Sequence, residues 1–316
     1  MTTAAQLDLG DFLHPALFYQ SEQQYLDGLL PFITEGLAAD QPVLVAVPGP
    51  NLALLREALG PAAAEITMAD MRDAGRNPGR ILGGVLSAFA DKHAPRSVRI
   101  IGEPIWSGRS DAEYPACVQH EALINNAFAG RDLAVLCPYD VTRLDPTAIA
   151  DARITHPVLW QAGMPEQDSV AFAPTAVWEH YNRPLTSGPT AVTYTVNQLA
   201  DLGGVRQFSA VYGQWFDLPS HITTNLQLIA NELATSSLQH NGAPCQLALW
   251  QDDGHLICEV SDNRYLDDPL AGRRPYRSDT VRGRGLFVVH GLADLVRIYT
   301  TAGQTTIHAY LKLELA

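Results

Sequence analysis

A Gly-Arg-Gly run near the C-terminus, Gly283-Arg284-Gly285, opens a stretch with helical apolar spacing. Glycines at the start of a helix leave backbone N–H groups open to a phosphate, and the helix dipole favours an anion there. Nearby guanidinium groups would add positive charge. The run therefore predicts a phosphate site, with glycine hinges and a solvated or partner-facing arginine cluster as the alternatives. The clustered arginines are Arg273, Arg274, Arg277, Arg282 and Arg284.

Three polar residues, Glu232, Ser236 and His240, follow one another at intervals of four. On a helix this spacing places them on one face, away from an apolar stripe at residues 222, 226, 229 and 233. A solvated polar face is the alternative interpretation of Glu232.

The secondary-structure elements that would position Glu232, Ser236 and the glycine run are predicted in the second half of the chain. A strand is predicted at residues 192–196, and helices at 205–215, 222–240 and 286–296. Residues 245–250 and 256–261 flank Asp252-Asp-Gly-His255, which is a hairpin signal. Residues 297–300 and 306–315 predict a last hairpin, whose second strand alternates apolar residues from Ile307 to Leu315. An antiparallel sheet with helices on one side is an α+β sandwich.

The first half alternates between helices and apolar, β-branched runs. Helices are predicted at residues 21–38, 52–59, 79–93 and 111–128, and strands at 42–48, 65–68, 97–102 and 133–137. This alternation predicts an α/β domain with a parallel sheet. Proline and small polar residues are frequent at 182–190, which predicts a linker there. The predicted domains are therefore residues 1–185 and 186–316.

Polar side chains follow two of these strands. Glu103, Trp106 and Arg109 come after one, and Tyr139 and Asp140 come after another. Ligands of parallel α/β sheets bind at the carboxyl ends of strands, so these residues predict a small-molecule pocket. A docking platform without a ligand is the alternative. The candidate sensory pocket is completed by His14, Tyr19, His120 and His156.

No metal site is predicted, because the histidine spacing gives no recognisable ligand pair. Histidines hydrogen-bonded in the core are the favoured interpretation. Cys137 lies in an apolar run and is expected to be buried rather than reactive.

Composition narrows the class of protein. The chain has 316 residues, a net charge of −13 and 47% hydrophobic residues, which predicts a soluble protein without the basic face of a nucleic-acid binder. No apolar run approaches the roughly 20 residues of a membrane span, and the N-terminus lacks the features of a signal peptide. Four cysteines without CxxC spacing are typical of reduced thiols. We expect a cytoplasmic protein.

Residues 229–242 (IANELATSSLQHNG) resemble the N box of the GHKL, or histidine kinase-like, ATPases. The resemblance implies that Glu232 polarises an attacking hydroxyl, that Asp262 accepts the adenine amino proton, and that ATP and Mg²⁺ are cofactors. The cofactor-binding set that it implies is Ser236, His240, Asp262, Gly283, Arg284 and Gly285. Two positions depart from the family pattern, since Ser236 stands for the Mg²⁺-binding Asn and Arg264 for a Gly. The Ser236 hydroxyl would be a weak ligand, because it is shorter than Asn and Mg²⁺ demands near-octahedral geometry at about 2.1 Å.

Six runs in the first half resemble a MEDS domain, a sensory module named from methanogen and methylotroph regulators. They are residues 14–19, 35–37, 102–109, 120–125, 137–140 and 155–157, and the resemblance spans most of residues 12–181. It implies a RecA-like parallel sheet without a phosphate loop. The sequence agrees, because residues 47–51 (VPGPN) follow a strand and no Gly-Lys-Ser/Thr appears.

The order of these two domains resembles that of actinobacterial anti-sigma regulators. It implies a signalling and transcription regulator whose first domain senses a ligand, and whose second domain binds a sigma factor or an anti-anti-sigma protein of the STAS type. Alternatives are an active serine kinase with Glu232 as base, and a non-catalytic scaffold. The two departures favour binding over catalysis and weigh against ATP and Mg²⁺.

Overall fold

The computed structural model describes residues 12–241, 243–274 and 284–313, which form two compact units. The first contains the described residues up to Arg76 and Val85–Tyr181; the second contains Asn77–Gly84 and the described residues from Asn182 onward. The strands are β1 (Pro15–Tyr19), β2 (Val43–Val47), β3 (Thr67–Asp70), β4 (Val98–Gly102), β5 (Leu133–Asp140), β6 (Val158–Gln161), β7 (Gln167–Asp168), β8 (Val192–Val196), β9 (Cys245–Asp252), β10 (His255–Asp262), β11 (Leu295–Thr301) and β12 (Gln304–Lys312). The helices are α1 (Glu22–Ala38), α2 (Gly49–Leu59), α3 (Met71–Ala74), α4 (Pro78–Ile81), α5 (Ala88–His93), α6 (Tyr114–Phe128), α7 (Pro146–Thr155), α8 (Pro174–Tyr181), α9 (Leu202–Trp215), α10 (Ser220–Asn241) and α11 (Arg284–Leu292).

The first unit is built on a seven-stranded sheet in the order β3-β2-β4-β5-β1-β6-β7. Its pairs are parallel except for β6 with β7. β1, β2 and β4 are buried along their whole length, because their near-continuous apolar runs suit strands covered on both faces. The parallel arrangement brings the carboxyl ends of β1, β2, β4 and β5 to one edge.

The second unit carries an antiparallel five-stranded sheet in the order β11-β12-β10-β9-β8. Residues at i, i+4, i+7 and i+11 of α10 form a buried apolar stripe that joins the core of the sheet. These residues are Ile222, Leu226, Ile229 and Leu233. The predicted fold class, α/β followed by α+β, is confirmed.

A helical stretch runs from Pro78 to His93, with a π-helical turn at Leu82–Ser87 between α4 and α5. Its first part, within Asn77–Gly84, belongs to the second unit. Asn77 caps the stretch by accepting from the Gly79 amide at 3.0 Å, and its own amide donates to the carbonyl of His290 at 3.0 Å. The sequence gives no sign of this assignment, and the predicted boundary at 185/186 stays a prediction.

The helix predicted at residues 286–296 is wrong at its C-terminal end. α11 ends at Leu292, and Leu295 and Val296 already pair with β12 as part of β11. The apolar spacing at residues 286, 289, 293 and 296 matches a helical period, but the pairing of Leu295 and Val296 with β12 overrides this local pattern. Between the end of α11 and the start of β11, the carboxylate of Asp294 accepts a hydrogen bond from the Lys312 backbone amide at 2.7 Å.

No helix of the described residues is long and apolar enough to cross a membrane. All four cysteines are free and buried.

Candidate functional site

The helix α10 presents the predicted catalytic face of the second unit. Glu232 and Ser236 are partly buried on it, whereas His240 is exposed. His240 turns back along its own helix, because its Nδ1 lies 2.8 Å from the carbonyl oxygen of Ser236 and donates to it. The side chains of Glu232 and Ser236 are thus the ones that face the interior of the unit.

Arg264 lies between Ser236 and Asp262. Asp262 is the last residue of β10 and is buried. Arg264 reaches it twice: its backbone N–H donates to Oδ1 at 2.9 Å, and its Nε forms an ion pair with Oδ2 at 3.1 Å. From the same guanidinium, Nη1 donates to Ser236 Oγ at 3.1 Å and contacts the Ser236 carbonyl at 3.3 Å.

This arrangement does not fit Mg²⁺ at Ser236. A Mg²⁺ ligand must offer an oxygen lone pair at about 2.1 Å, and the ion keeps a near-octahedral shell. The Ser236 oxygen is engaged with a permanently cationic guanidinium, which repels a second cation at that distance. The carboxylate of Asp262 is likewise engaged at both oxygens, and an adenine amino group that took the place of the Arg264 guanidinium would break its ion pair with Oδ2.

The start of α11 lies next to Glu232. A Cβ on Gly285 would approach Glu232 Oε2 to 3.0 Å, so a larger residue there would require the Glu232 side chain to shift. A carboxylate near the N-terminus of a helix is favoured by the helix dipole. Arg284 is exposed at the first turn. Gly283, Arg277 and Arg282 lie outside the described residues.

The first unit contains a cavity of about 620 Å³ at the carboxyl ends of its parallel strands. Of the predicted sensory residues, the structure brings Tyr19, Glu103, Trp106 and Asp140 together in its wall. Several other lining residues were not predicted from the sequence, because they lie on or just before α1, on the helices after β2 and β3, and in the loops after β4 and β5, without a recognisable motif. The missed polar ones are Ser21, Glu22, Tyr25, Asn51, Arg72, Ser107 and Arg143.

Glu103 is the buried acid of this cavity. The Asn51 amide donates to both of its carboxylate oxygens, at 3.0 and 2.9 Å, and the Tyr25 hydroxyl lies 3.2 Å from Oε2. Burial raises the pKa of Glu103 to about 8, against the lowering effect of the Asn51 and Tyr25 hydrogen bonds. Burial, and next the charge of Glu103, raise the pKa of Tyr19 and Tyr25. The carboxyl group of Glu103 is therefore largely protonated at neutral pH.

Arg109 does not line the cavity but fixes the loop after β4. Its guanidinium stacks on the Trp106 ring at 3.9 Å and pairs with Glu113 at 2.8 Å. It also donates to the carbonyls of Pro104 and Gly75, at 3.0 and 2.6 Å. Arg109 thereby positions the segment that carries Trp106.

The remaining predicted sensory residues lie in the core and not in the cavity wall. His14, His120, Tyr139 and His156 are all buried. The rings of His14 and His156 are tilted by 40° with centroids 4.1 Å apart, and both face Glu121, at 3.3 and 3.4 Å from its Oε2. Burial, and next the charge of His156, lower the pKa of His14 to about 4.

Comparisons with known proteins agree with this architecture. Residues 13–157 match the family model of the MEDS (MEthanogen/methylotroph, DcmR Sensory) domain, and residues 195–311 match that of the histidine kinase-like ATPase domain. A comparison with curated proteins found no match.

Two of the partly similar solved structures show the extent of the likeness. One is of the RsbU and RsbW domains of Rv1364c from Mycobacterium tuberculosis, at 15% identity and a TM-score of 0.32, covering 41% of this chain and 34% of that one. The other is the SiaB-SiaC complex from Pseudomonas aeruginosa, at 10% identity and a TM-score of 0.31, covering 38% of this chain and 88% of that one.

Proposed function

We propose that this chain, in which a MEDS domain precedes a histidine kinase-like ATPase domain, is a signalling regulator that acts by binding a protein partner rather than by transferring phosphate. The partner is a sigma factor or a STAS-type anti-anti-sigma protein. The observation that carries the proposal is Arg264, whose guanidinium links Ser236 to Asp262 inside the ATPase-like unit.

The energetic argument rests on burial. The side chains of Arg264 and Asp262 are 9% and 2% exposed. Removing one partner of such a buried pair costs about 3–5 kcal/mol, because the other charge stays buried without compensation. Adenine binding at Asp262 would carry that cost, and each 1.4 kcal/mol is tenfold in affinity, so ATP should bind roughly 10² to 10³ times more weakly than in an open pocket.

A protein partner is supported by apolar side chains that the second unit leaves exposed. Trp215 and Phe216, at the end of α9, are 71% and 51% exposed, and Leu228 on α10 is 45% exposed. Aromatic residues of this size concentrate binding energy at protein interfaces. Loss of phosphate transfer would leave such a contact intact.

We further propose that the first unit binds a small polar molecule in its cavity of about 620 Å³. The volume lies within the usual range for small-molecule sites. The wall combines acidic groups, Glu103 and Asp140, with the cationic Arg72 and Arg143. This mixture suits a ligand that carries both donors and acceptors.

Calorimetry and partner capture test the proposal together. The wild-type chain is titrated with ATP in the presence and absence of Mg²⁺, and we expect no micromolar affinity that Mg²⁺ strengthens. Pull-down is expected to recover a sigma factor or a STAS protein. Micromolar affinity enhanced by Mg²⁺ contradicts the blocked site, and recovery of neither partner contradicts the regulatory role.

An active serine kinase is the second candidate, and the proximity of Glu232 to the start of α11 favours it. Glu232 would accept the proton of the attacking serine hydroxyl. The test is phosphate transfer from ATP to a recovered STAS protein, abolished in Glu232→Ala and retained in Asp267→Asn, an exposed acid of the same unit. Absence of both transfer and partner would leave a non-catalytic scaffold.

A further inference from the structure

Four side chains of metal-binding type meet in the core of the first unit. His14 precedes β1, Glu121 lies on α6, Cys137 lies on β5 and His156 follows α7. All four are buried, and one ligand atom from each lies within 4.8 Å of the others. The cluster lies outside the cavity wall, and neither the proposed partner binding nor the proposed sensing uses it.

The surroundings of the two imidazoles fix which ring nitrogen carries the proton. His14 Nδ1 lies 3.1 Å from Asn125 Oδ1, whose amide nitrogen is turned away and donates to backbone carbonyls. His156 Nδ1 lies 2.8 Å from the carbonyl oxygen of Ala152. Both partners only accept, so both Nδ1 atoms donate. Metal-binding histidines are oriented in this way, through the ring nitrogen that does not face the ion.

The opposite nitrogens then direct lone pairs at one point. His14 Nε2 and His156 Nε2 lie 3.3 and 3.4 Å from the same oxygen, Oε2 of Glu121. Among the described residues, no partner in hydrogen-bonding geometry faces His156 Nε2. Cys137 Sγ is 3.5 Å from that carboxylate oxygen and 3.5 Å from His14 Nε2. Acceptors that converge in a buried site repel one another unless a proton or a metal ion lies between them, and a deprotonated Cys137 would leave only the metal ion to do so.

The spacing of these atoms matches a tetrahedral ion. Zn–N and Zn–O bonds of about 2.05 Å imply ligand–ligand edges of roughly 3.3 Å, and a Zn–S bond of about 2.3 Å implies edges of roughly 3.5 Å. The two nitrogen–oxygen distances to Glu121 Oε2 are 3.3 and 3.4 Å, and Cys137 Sγ lies 3.5 Å from both Glu121 Oε2 and His14 Nε2. Four of the six edges therefore match such a tetrahedron, and all four ligand atoms lie within 4.8 Å of one another.

We propose that His14, Glu121, Cys137 and His156 bind one Zn²⁺ ion. Thiolate and imidazole ligands select zinc over magnesium or calcium, which prefer oxygen. With four protein ligands the site is closed, which is typical of structural zinc. The ion fastens the start of β1 to α6, to β5 and to the end of α7.

The test uses the full chain, purified without a chelating column. Mass spectrometry for metals is expected to find one zinc ion per chain. Replacement by Co²⁺ is expected to give the visible bands of a tetrahedral site and a sulfur-to-cobalt charge-transfer band in the near ultraviolet. Cys137→Ser should lose that band. Cys117→Ser is the matched control and should keep the band. Cys117, which lies on α6, is a buried thiol like Cys137 but is outside the cluster.

Three results would overturn the zinc site. One is less than about one-tenth of a metal ion per chain after growth in zinc, with no cobalt spectrum on titration. Another is a charge-transfer band that persists in folded Cys137→Ser. The third is stoichiometric iron or copper in place of zinc. If Cys137→Ser does not fold, two other variants decide the question. Glu121→Gln should lose bound metal, and Cys117→Ser should keep the charge-transfer band.

Discussion

Nη1 of Arg264 donates to Oγ of Ser236 at 3.1 Å, so the two residues that depart from the ATPase pattern are hydrogen-bonded to each other. Together with the ion pair to Asp262, the two residues form one connected polar group at the proposed nucleotide site. The pair can therefore be tested as a unit.

Restoring the family residues should reopen the site. We expect Arg264→Gly combined with Ser236→Asn to raise the affinity for ATP with Mg²⁺ by about tenfold or more, because the buried ion pair no longer competes for Asp262. Calorimetry measures the change. Arg274→Gly is the control, since Arg274 is exposed and pairs with Asp268 at the surface. Equal affinities in the double variant and the wild type would show that Arg264 does not block the site.

The stability of the first unit should depend on the protonation of Glu103. Its folded pKa of about 8 lies above its usual value of 4.5, so the stability it contributes is present below pH 4.5 and is lost as pH rises through 8. A shift from 4.5 to 8 corresponds to at most about 5 kcal/mol, at 1.36 kcal/mol per unit.

Thermal unfolding between about pH 5 and pH 8.5 measures this dependence. The Tm of Glu103→Gln should vary less over the range than that of the wild type. Glu57→Gln is the control, because Glu57 is exposed on α2 and its replacement should leave the wild-type slope unchanged. Parallel slopes in Glu103→Gln and the wild type would contradict the raised pKa.

Two leucines of α10 offer a matched comparison of burial. Leu226 is fully buried in the core of the second unit, whereas Leu228 is 45% exposed. We expect Leu226→Ala to lower the free energy of unfolding by about 2–5 kcal/mol, through lost apolar burial and a residual cavity. Leu228→Ala should cost about 0.5 kcal/mol. Urea denaturation measures both, and similar losses at the two positions would contradict the assigned packing.

Partner binding should depend on the exposed aromatic residues of the second unit. We expect Trp215→Ser to weaken the binding of the recovered sigma or STAS protein by about 2 kcal/mol or more, with unchanged circular dichroism. Phe172→Ser is the control, since Phe172 is an exposed aromatic residue of the first unit. Equal losses in both variants would point to a general effect of lowered hydrophobicity.

The sequence predicted those parts of the sites that follow from local pattern. Glu103 and Asp140 meet because parallel strands end at a common edge, and an alternation of strands and helices is enough to predict that edge. Glu232 and Ser236 share a face because helical spacing dictates it. Whether the predicted residues bind nucleotide or ligand stays a prediction.

The rest depends on contacts between residues distant in sequence. Arg264 is visible in the sequence as a departure, but its bond to Ser236 needs the packing of β10 against α10. His14 and Cys137 are separated by 123 positions and lie 3.5 Å apart only in the folded sheet. Neither pairing has a periodic or motif-like signature, so pattern alone could not reveal it.

The place of Asn77–Gly84 in the second unit bears on how the protein can be divided. A fragment that starts at residue 186 would lack the amide of Asn77, which donates to the His290 carbonyl. It would also uncover the faces of α11 and β11 against which α4 packs. The second unit would be incomplete in such a fragment. A negative result in a binding assay would then reflect the missing residues and not the chemistry of the site. The ATPase-like unit is thus discontinuous in sequence, and its minimal active piece must carry residues from both halves of the chain.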